Sequence, residues 1–336
     1  MKAVLLTKPE EIAIVDVPRQ DDPSKVVIRL EAAGICGSDI SAYKGTSPLV
    51  SYPRIIGHEL AGEVVSVPAG VTHVKPGDRV VAEPYVYCGT CRTCKMQRTN
   101  CCENLTVSGV HIDGGMVEYF SHPSHLVHLV PDNMTWEQAA LVEPLTISLH
   151  GLNRAQVKAG ENVVITGAGT IGLLAALAAK GLGATPILVD PTQERLDLAG
   201  KMGITHLINP TKVDAVEEIS KITHGTMADV VIEAAGAAVA VKNAIDYVAY
   251  AGRISLVGYP IGDVPIPTFL ITKKELTVLG SRNSAQEFPQ AIELLSSGKV
   301  NADQVVSHRI TFDELPEYVV RIAKNPGEFL KVIAKL

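Results

Sequence analysis

The run Gly167-Ala-Gly169-Thr170-Ile171-Gly172 constrains this chain more than any other feature. It follows the apolar stretch Asn162-Val-Val-Ile-Thr166 directly and opens an Ala/Leu-rich segment. Such a glycine pattern is common on its own. Between a buried strand and a helix, it specifies the phosphate-facing turn of a parallel sheet. Gly167 permits the tight turn, Gly169 lets the backbone approach a pyrophosphate, and Gly172 lets helix and strand pack closely. Thr170 and Ile171 begin the helix, whose free N–H groups and positive dipole end suit phosphates. Asp190 ends the next strand, 18 residues beyond Gly172. A carboxylate there accepts from both ribose hydroxyls and repels a 2′-phosphate, so NAD is expected rather than NADP.

Strands and helices alternate around this turn. The pattern predicts a strand over 186–190, a helix over 194–202, and further strands near 229–233, 253–257 and 276–279. That alternation means an α/β fold with a doubly wound parallel sheet. Before about residue 135 the texture differs. Short stretches such as 26–30, 62–67 and 78–82, punctuated by Pro-Gly turns, predict a small β-rich domain. Beyond about 285 come a helix over 288–296 and a last strand over 331–334.

The chain has 336 residues, which suits two domains. A net charge of −6 argues against a general nucleic-acid or anionic-membrane binder. The opening apolar run is too short for a signal peptide. The longest apolar stretch, Val163 to Val189, carries five glycines, Lys180 and Pro186. It therefore reads as strand, helix and strand, not as a membrane span. A cytoplasmic location is expected.

Five of the six cysteines fall between Cys88 and Cys102, and the sixth is Cys36. Thiols clustered in this way suggest metal more than cross-links. Cys88, Cys91, Cys94 and Cys102 offer four thiolates, which close a tetrahedral zinc shell and make a structural site. Cys101 is interchangeable with Cys102 on spacing alone. A catalytic zinc needs about three protein ligands and one exchangeable position. Cys36, His58 and Glu143 are the candidates, the last a carboxylate in an otherwise apolar segment.

These pieces together resemble the zinc-containing medium-chain dehydrogenases over essentially the whole chain. The matching motifs are Gly34-Ile-Cys36-Gly-Ser-Asp, Gly57-His58-Glu59-x-x-Gly62, the four-cysteine lobe, Glu143-Pro144 and the glycine turn. Glu143-Pro in place of a third catalytic cysteine is similar to the sorbitol and threonine dehydrogenase branch. Tyr52-Pro-Arg-Ile-Ile-Gly-His58-Glu, Arg98 to Glu103, Gly109 to Gly115 and Gly280-Ser-Arg282-Asn283 resemble bacterial sugar-acid and polyol dehydrogenases of the galactonate 5-dehydrogenase type.

The resemblance implies a GroES-like catalytic domain over 1–150 and 286–336, with a zinc lobe over 86–104. A Rossmann domain over 151–285 is then inserted between the two parts. Two zinc ions and NAD are implied as cofactors. Zinc on Cys36, His58 and Glu143 would lower the pKa of a substrate hydroxyl. Ser38 looks like the relay hydroxyl, and Glu59 like an acid that meets zinc directly or through water. Many relatives carry His five residues after Cys36; here that position is Ser41. Arg195, Val257 and Arg282 are implied at the cofactor. Tyr43, His111 and Asn283 are implied at the substrate, where Arg282 would also suit a carboxylate or phosphate. His150, near Glu143 in sequence, is a further candidate for proton exit.

The expected reaction is hydride transfer between NAD and a secondary alcohol of a sugar acid or polyol. L-Threonine oxidation is the rival within the family, and a non-catalytic NAD-binding metal or redox sensor the rival outside it. The partners are a small polar substrate and further copies of the chain. A homodimer or homotetramer would form if the strand near 276–280 pairs with its own copy.

Overall fold

The computed structural model describes residues 1–19, 21–260 and 262–336. The chain forms two compact units. The first comprises Met1–Glu143, Phe288–Ser296 and Asp303–Leu336, and the second comprises Pro144–Glu287 and Ser297–Ala302. The expected boundary near residue 150 falls inside the helix Val142–Arg154, which has its first turn at the edge of the first unit. The segment Ser297–Ala302 joins the second unit, where Lys299 O and Val300 lie close to Gly181.

The first unit is built on the ten-residue strand Val26–Ile35. Its run Val26, Val27, Ile28 is buried on both faces, because neighbouring elements cover it on each side. Full burial of one such side chain stabilises by about 1.5–3 kcal/mol. The strand pairs antiparallel with Glu59–Ser66, Lys331–Lys335 and, through its first half, Tyr119–His122. Arg79–Ala82 and Val127–Leu129 extend the sheet on one side, and Val306–Thr311 extends it on the other. A two-stranded sheet, Tyr85–Val86 with Thr106–Val107, pins the base of the cysteine lobe.

The second unit is a six-stranded parallel sheet. Its strands run in the order His206–Ile208, Thr185–Val189, Asn162–Thr166, Ala228–Glu233, Val248–Leu256 and Thr277–Gly280. Numbered along the chain this is 3-2-1-4-5-6, the doubly wound arrangement with its switch point between the first and fourth strands. A Cβ on Gly172 would lie 1.8 Å from Gly167 O, and Gly167 has φ +94°, so glycine is required at both ends of the turn. The helix Thr170–Gly181 is capped by Gly169. Among the described residues, no helix is long and apolar enough to cross a membrane.

Candidate active site and metal centres

A buried cluster in the first unit starts at a helix end. The helix Gly37–Tyr43 follows the strand Val26–Ile35, and its Asp39 turns back to accept from the Cys36 N–H at 2.9 Å. This bond fixes Cys36 where strand gives way to helix. In the sheet register Gly34 pairs with Glu59, which places His58 and Glu59 beside Cys36. A Cβ on Gly34 would lie 1.9 Å from Glu59 Oε2, so only glycine leaves room for that carboxylate. Cys36, His58 and Glu59 offer ligand atoms all within 4.8 Å of one another. Ser38 Oγ lies 3.5 Å from His58 Nε2.

Glu143, in the first turn of the helix Val142–Arg154, is buried and accepts a short hydrogen bond from the Tyr85 hydroxyl on Oε1. It is not one of the tight three, but its charge acts on His58. Glu59 has a different partner. Lys331 Nζ, itself buried, donates to Oε1 at 2.5 Å, to Oε2 at 2.7 Å and to Ile35 O at 3.0 Å.

The electrostatics fit a cation. Burial pushes Glu143 up to about 7, with His58 pulling it the other way. Burial alone would lower the His58 imidazole, but Cys36, Asp39 and Glu143 outweigh it and hold the group well above its ordinary value. Burial also works against the Lys331 charge, and Glu59 more than offsets this. Asp39 is raised, chiefly by burial. His58 Nδ1 and Asp39 Oδ1 lie 3.9 Å apart, and neither has a hydrogen-bond partner among the described residues. A thiol, an imidazole and two further carboxylates around such atoms form a donor set suited to zinc.

The cysteine lobe is a separate construction. The sulfurs of Cys88, Cys91, Cys94 and Cys102 lie within 4.8 Å of one another, and Cys91 and Cys102 are 3.9 Å apart. Zn–S bonds of about 2.3 Å in a tetrahedron give an edge of about 3.8 Å, so the four fit. Cys101 is not among them; its carbonyl accepts from Thr93 Oγ1 at 2.8 Å. Local donors favour thiolates. The Thr90 hydroxyl, with backbone N–H groups, brings Cys88 down to about 5, and the Thr93 hydroxyl brings Cys91 to about 7. Burial pushes Cys94 up to about 12.

In the second unit Asp190 is buried at the end of its strand. Its Oδ2 accepts from Ala168 N at 2.6 Å inside the glycine turn, and its Oδ1 accepts from Thr192 N at 2.8 Å. Asp190 and Arg195 line a cavity of about 450 Å³ together with Gly167, Asn243 and Tyr247, a volume ordinary for a small-molecule site. Glu233, which the sequence reading passed over, is fully buried across the turn. It accepts from Ala235 N and Gly236 N at 3.0 and 2.9 Å.

The other candidates scatter. Tyr43 is partly buried against the first unit's core. His111 Nδ1 accepts from Val107 N at 3.1 Å, which leaves the proton on Nε2, and its loop pairs with residues 55–57 through Gly114 and Gly115. Arg282 is exposed, and Asn283 has φ +51°. Val257 packs where a Cβ on Gly151 would fall. The Ser41 hydroxyl donates to Gly37 O at 3.1 Å. His150 meets Glu287 at 2.8 Å within the second unit. Nothing in the sequence marks Tyr85 or Lys331, whose partners lie 58 and 272 residues away, or the local anchor Asp39.

Residues 22–132 match the alcohol dehydrogenase GroES-like domain, and residues 170–297 match the zinc-binding dehydrogenase domain. The chain is 49% identical over 336 residues to an uncharacterised zinc-type alcohol dehydrogenase-like protein of Haemophilus influenzae, covering 99% of this chain and 98% of that one. It is 36% identical to L-galactonate-5-dehydrogenase of Escherichia coli, covering 98% of each. A zinc-binding dehydrogenase from Sinorhizobium meliloti 1021, solved with NADP bound, superposes with a TM-score of 0.92 at 34% identity, covering 100% of this chain and 99% of that one. With both domains matched and near-complete coverage at these identities, the chain belongs to the zinc-type alcohol dehydrogenases, the medium-chain oxidoreductases that act on CH–OH groups.

Proposed function

We propose that the chain passes a hydride between NAD and a secondary alcohol of a sugar acid or polyol, using one catalytic and one structural zinc. The clustering of Cys36, His58 and Glu59, whose ligand atoms lie within 4.8 Å of one another, with the buried Glu143 acting on His58, carries this reading. Cys36, His58 and Glu143 would hold the catalytic zinc, which when bound supplies a Lewis acid that lowers the pKa of a substrate hydroxyl. Cys88, Cys91, Cys94 and Cys102 would hold the structural one.

The chain's own groups do the rest. Asp39 anchors the Cys36 backbone, and its second oxygen faces His58 Nδ1 from 3.9 Å, on the side away from Ser38. Lys331 neutralises Glu59 and keeps it from competing with Glu143 as a ligand. Ser38 accepts the alcohol proton. Ser41 is tied to its own helix through Gly37 O, so the proton leaves Ser38 by another route. His111 is the candidate that would recognise a polar substrate, and a guanidinium such as that of Arg282 would suit a carboxylate by paired hydrogen bonds.

At the glycine turn Asp190 favours NAD, the hydride acceptor, over NADP. The S. meliloti structure holds NADP, so the family does not decide the point. The carboxylate of Asp190 at the strand end is what supports NAD here. The comparison with L-galactonate-5-dehydrogenase supports the sugar-acid class. L-Threonine is the second reading, since the same zinc and cofactor parts would serve it.

An NAD-coupled screen of zinc-replete protein over hexonates, polyols, their phosphates and L-threonine tests the proposal. NADH formation with a hexonate or polyol is expected. NADH formed with threonine alone would replace this reading. The edge strand Thr277–Gly280, with Val278 exposed, supports a homo-oligomer that sedimentation at micromolar concentration would reveal. The free, clustered cysteines support a reducing, cytoplasmic location.

A further inference from the structure

We infer that Tyr85 is a positioning residue for the catalytic metal: its hydroxyl holds Glu143 Oε1, so that Glu143 meets zinc through one oxygen. This rests on the proposed assignment of zinc to Cys36, His58 and Glu143. Three observations lead to it. Tyr85 and Glu143 are 4% and 5% exposed, so the hydrogen bond between them is shielded from bulk solvent. The hydroxyl donates to Oε1 across 58 residues of chain. Tyr85 also lies in the two-residue strand paired with Val107, at the base of the cysteine lobe, so its backbone is fixed independently of Glu143.

A carboxylate free to rotate engages a metal with one oxygen or two, and its position drifts with the choice. A phenol on one oxygen removes that freedom, because two-oxygen coordination would require breaking the hydrogen bond inside a buried site. Lys331 does the equivalent for Glu59 by taking both of its oxygens. The two acids of the pocket are thus distinguished by their partners. Glu59 is saturated by a lysine, whereas Glu143 is oriented by a tyrosine that leaves its charge in place.

The test is zinc release from the holoenzyme to a chromophoric chelator, comparing the unaltered chain with Tyr85→Phe. Two zinc ions per chain are expected in both as prepared. In Tyr85→Phe one ion should leave about 10-fold faster or more, the usual scale for losing a group that orients a ligand, while the other keeps its rate. A purely structural tyrosine would leave the release rate unchanged or speed both ions together, and either result overturns the inference. Glu143→Ala, which leaves no side-chain oxygen for Tyr85 to hold, and the double variant Tyr85→Phe with Glu143→Ala should release that ion at the same rate. A further acceleration in the double variant also overturns it. If the unaltered chain binds only one zinc, the assignment of the site itself fails, which is a separate result.

A second measurement needs no Tyr85 variant. The infrared difference spectrum of unaltered chain minus Glu143→Gln, both zinc-loaded, isolates the Glu143 carboxylate stretches. A splitting wider than that of a free carboxylate supports one-oxygen binding, and a narrower one overturns it.

Discussion

The two regions proposed to bind metal are built on opposite plans. The lobe draws all four sulfurs from between Cys88 and Cys102, and the donors that favour the thiolates of Cys88 and Cys91 come from the same loop. The pocket draws Cys36, His58 and Glu143 from far-apart segments; Asp39 anchors the Cys36 backbone, Tyr85 holds Glu143, and Lys331 holds Glu59 next to His58. A loop that contains little besides its ligands depends on the metal for its shape. A pocket framed by buried side-chain hydrogen bonds keeps its shape by itself, and the metal adds chemistry. The difference is open to experiment from both sides.

The largest expected effect lies in the pocket and should be chemical, not structural. Cys36→Ser should lower turnover by about 10³-fold or more, the scale of losing several kcal/mol of Lewis-acid stabilisation. The helical signal in circular dichroism and one bound zinc should survive, because Asp39 still anchors the residue-36 backbone. Loss of both zinc ions would break the comparison, since it would mean that the pocket metal also maintains the fold.

Next in size is the frame of the pocket. Lys331 is 3% exposed and holds both oxygens of the 1%-exposed Glu59. Lys331→Met would leave that carboxylate buried and unpaired, at a cost of about 3–5 kcal/mol in denaturant unfolding. Lys331→Met with Glu59→Met should recover much of the loss, since replacing a whole buried pair by apolar groups is often close to neutral. Equal losses in the single and double variants would remove the ion pair from the account.

The same contrast explains what the sequence made legible. The lobe and the glycine turn are local, so residue type and spacing along a short segment were enough to read them. Cys36, His58 and Glu143 are suggested only as an ordered set, and the structure gathers Cys36 and His58 most tightly with Glu59. Lys331 was not readable at all. A lysine opening the last strand looks solvent-facing, and only the pairing of that strand with Val26–Ile35 carries it to Glu59. Tyr85 looked like one more apolar residue of a strand. In the sheet domain the three-residue strand His206–Ile208 and the helices Ala215–Ile222, Ala238–Tyr247 and Thr268–Lys274 were not anticipated, though the parallel topology was. The strand Val306–Thr311 and the helix Leu315–Lys324 of the first unit were likewise missed. The three-residue strand His206–Ile208 carries too little periodicity to stand out from its loop.

Acid sharpens the comparison further, because part of the pocket frame depends on a neutral histidine. His122 is buried, donates to Glu83 O at 2.7 Å and stacks on Phe120. It therefore pins the segment that leads into Tyr85. Burial brings its pKa from 6.5 down to about 4, with the Glu83 carbonyl opposing. The unfolded chain thus takes up this proton at higher pH than the folded one. The contribution is full above pH 6.5 and falls away between 6.5 and about 4, by about 3 kcal/mol. His122→Gln keeps a donor for Glu83 O and does not titrate, so it should flatten that part of the stability curve. An unchanged slope would show that His122 is not the group responsible.

The smallest effect on turnover is expected from the lobe, and there the comparison is most exposed to failure. Cys91→Ser removes one sulfur from the four, so the lobe should lose its zinc and become open to protease between residues 88 and 102. None of Cys36, His58, Glu59, Glu143 or Lys331 belongs to the lobe. It reaches them through the strand Tyr85–Val86 at its base, which is also held by Thr106–Val107, and through the loop that follows it, where Gly115 N–H donates to Gly57 O beside His58. Turnover should therefore fall by less than about tenfold, or about 1.4 kcal/mol. If Cys91→Ser lowers turnover as far as Cys36→Ser does, the loosening has reached the pocket, through Tyr85 or through the segment beside Gly57, and the two regions act as one.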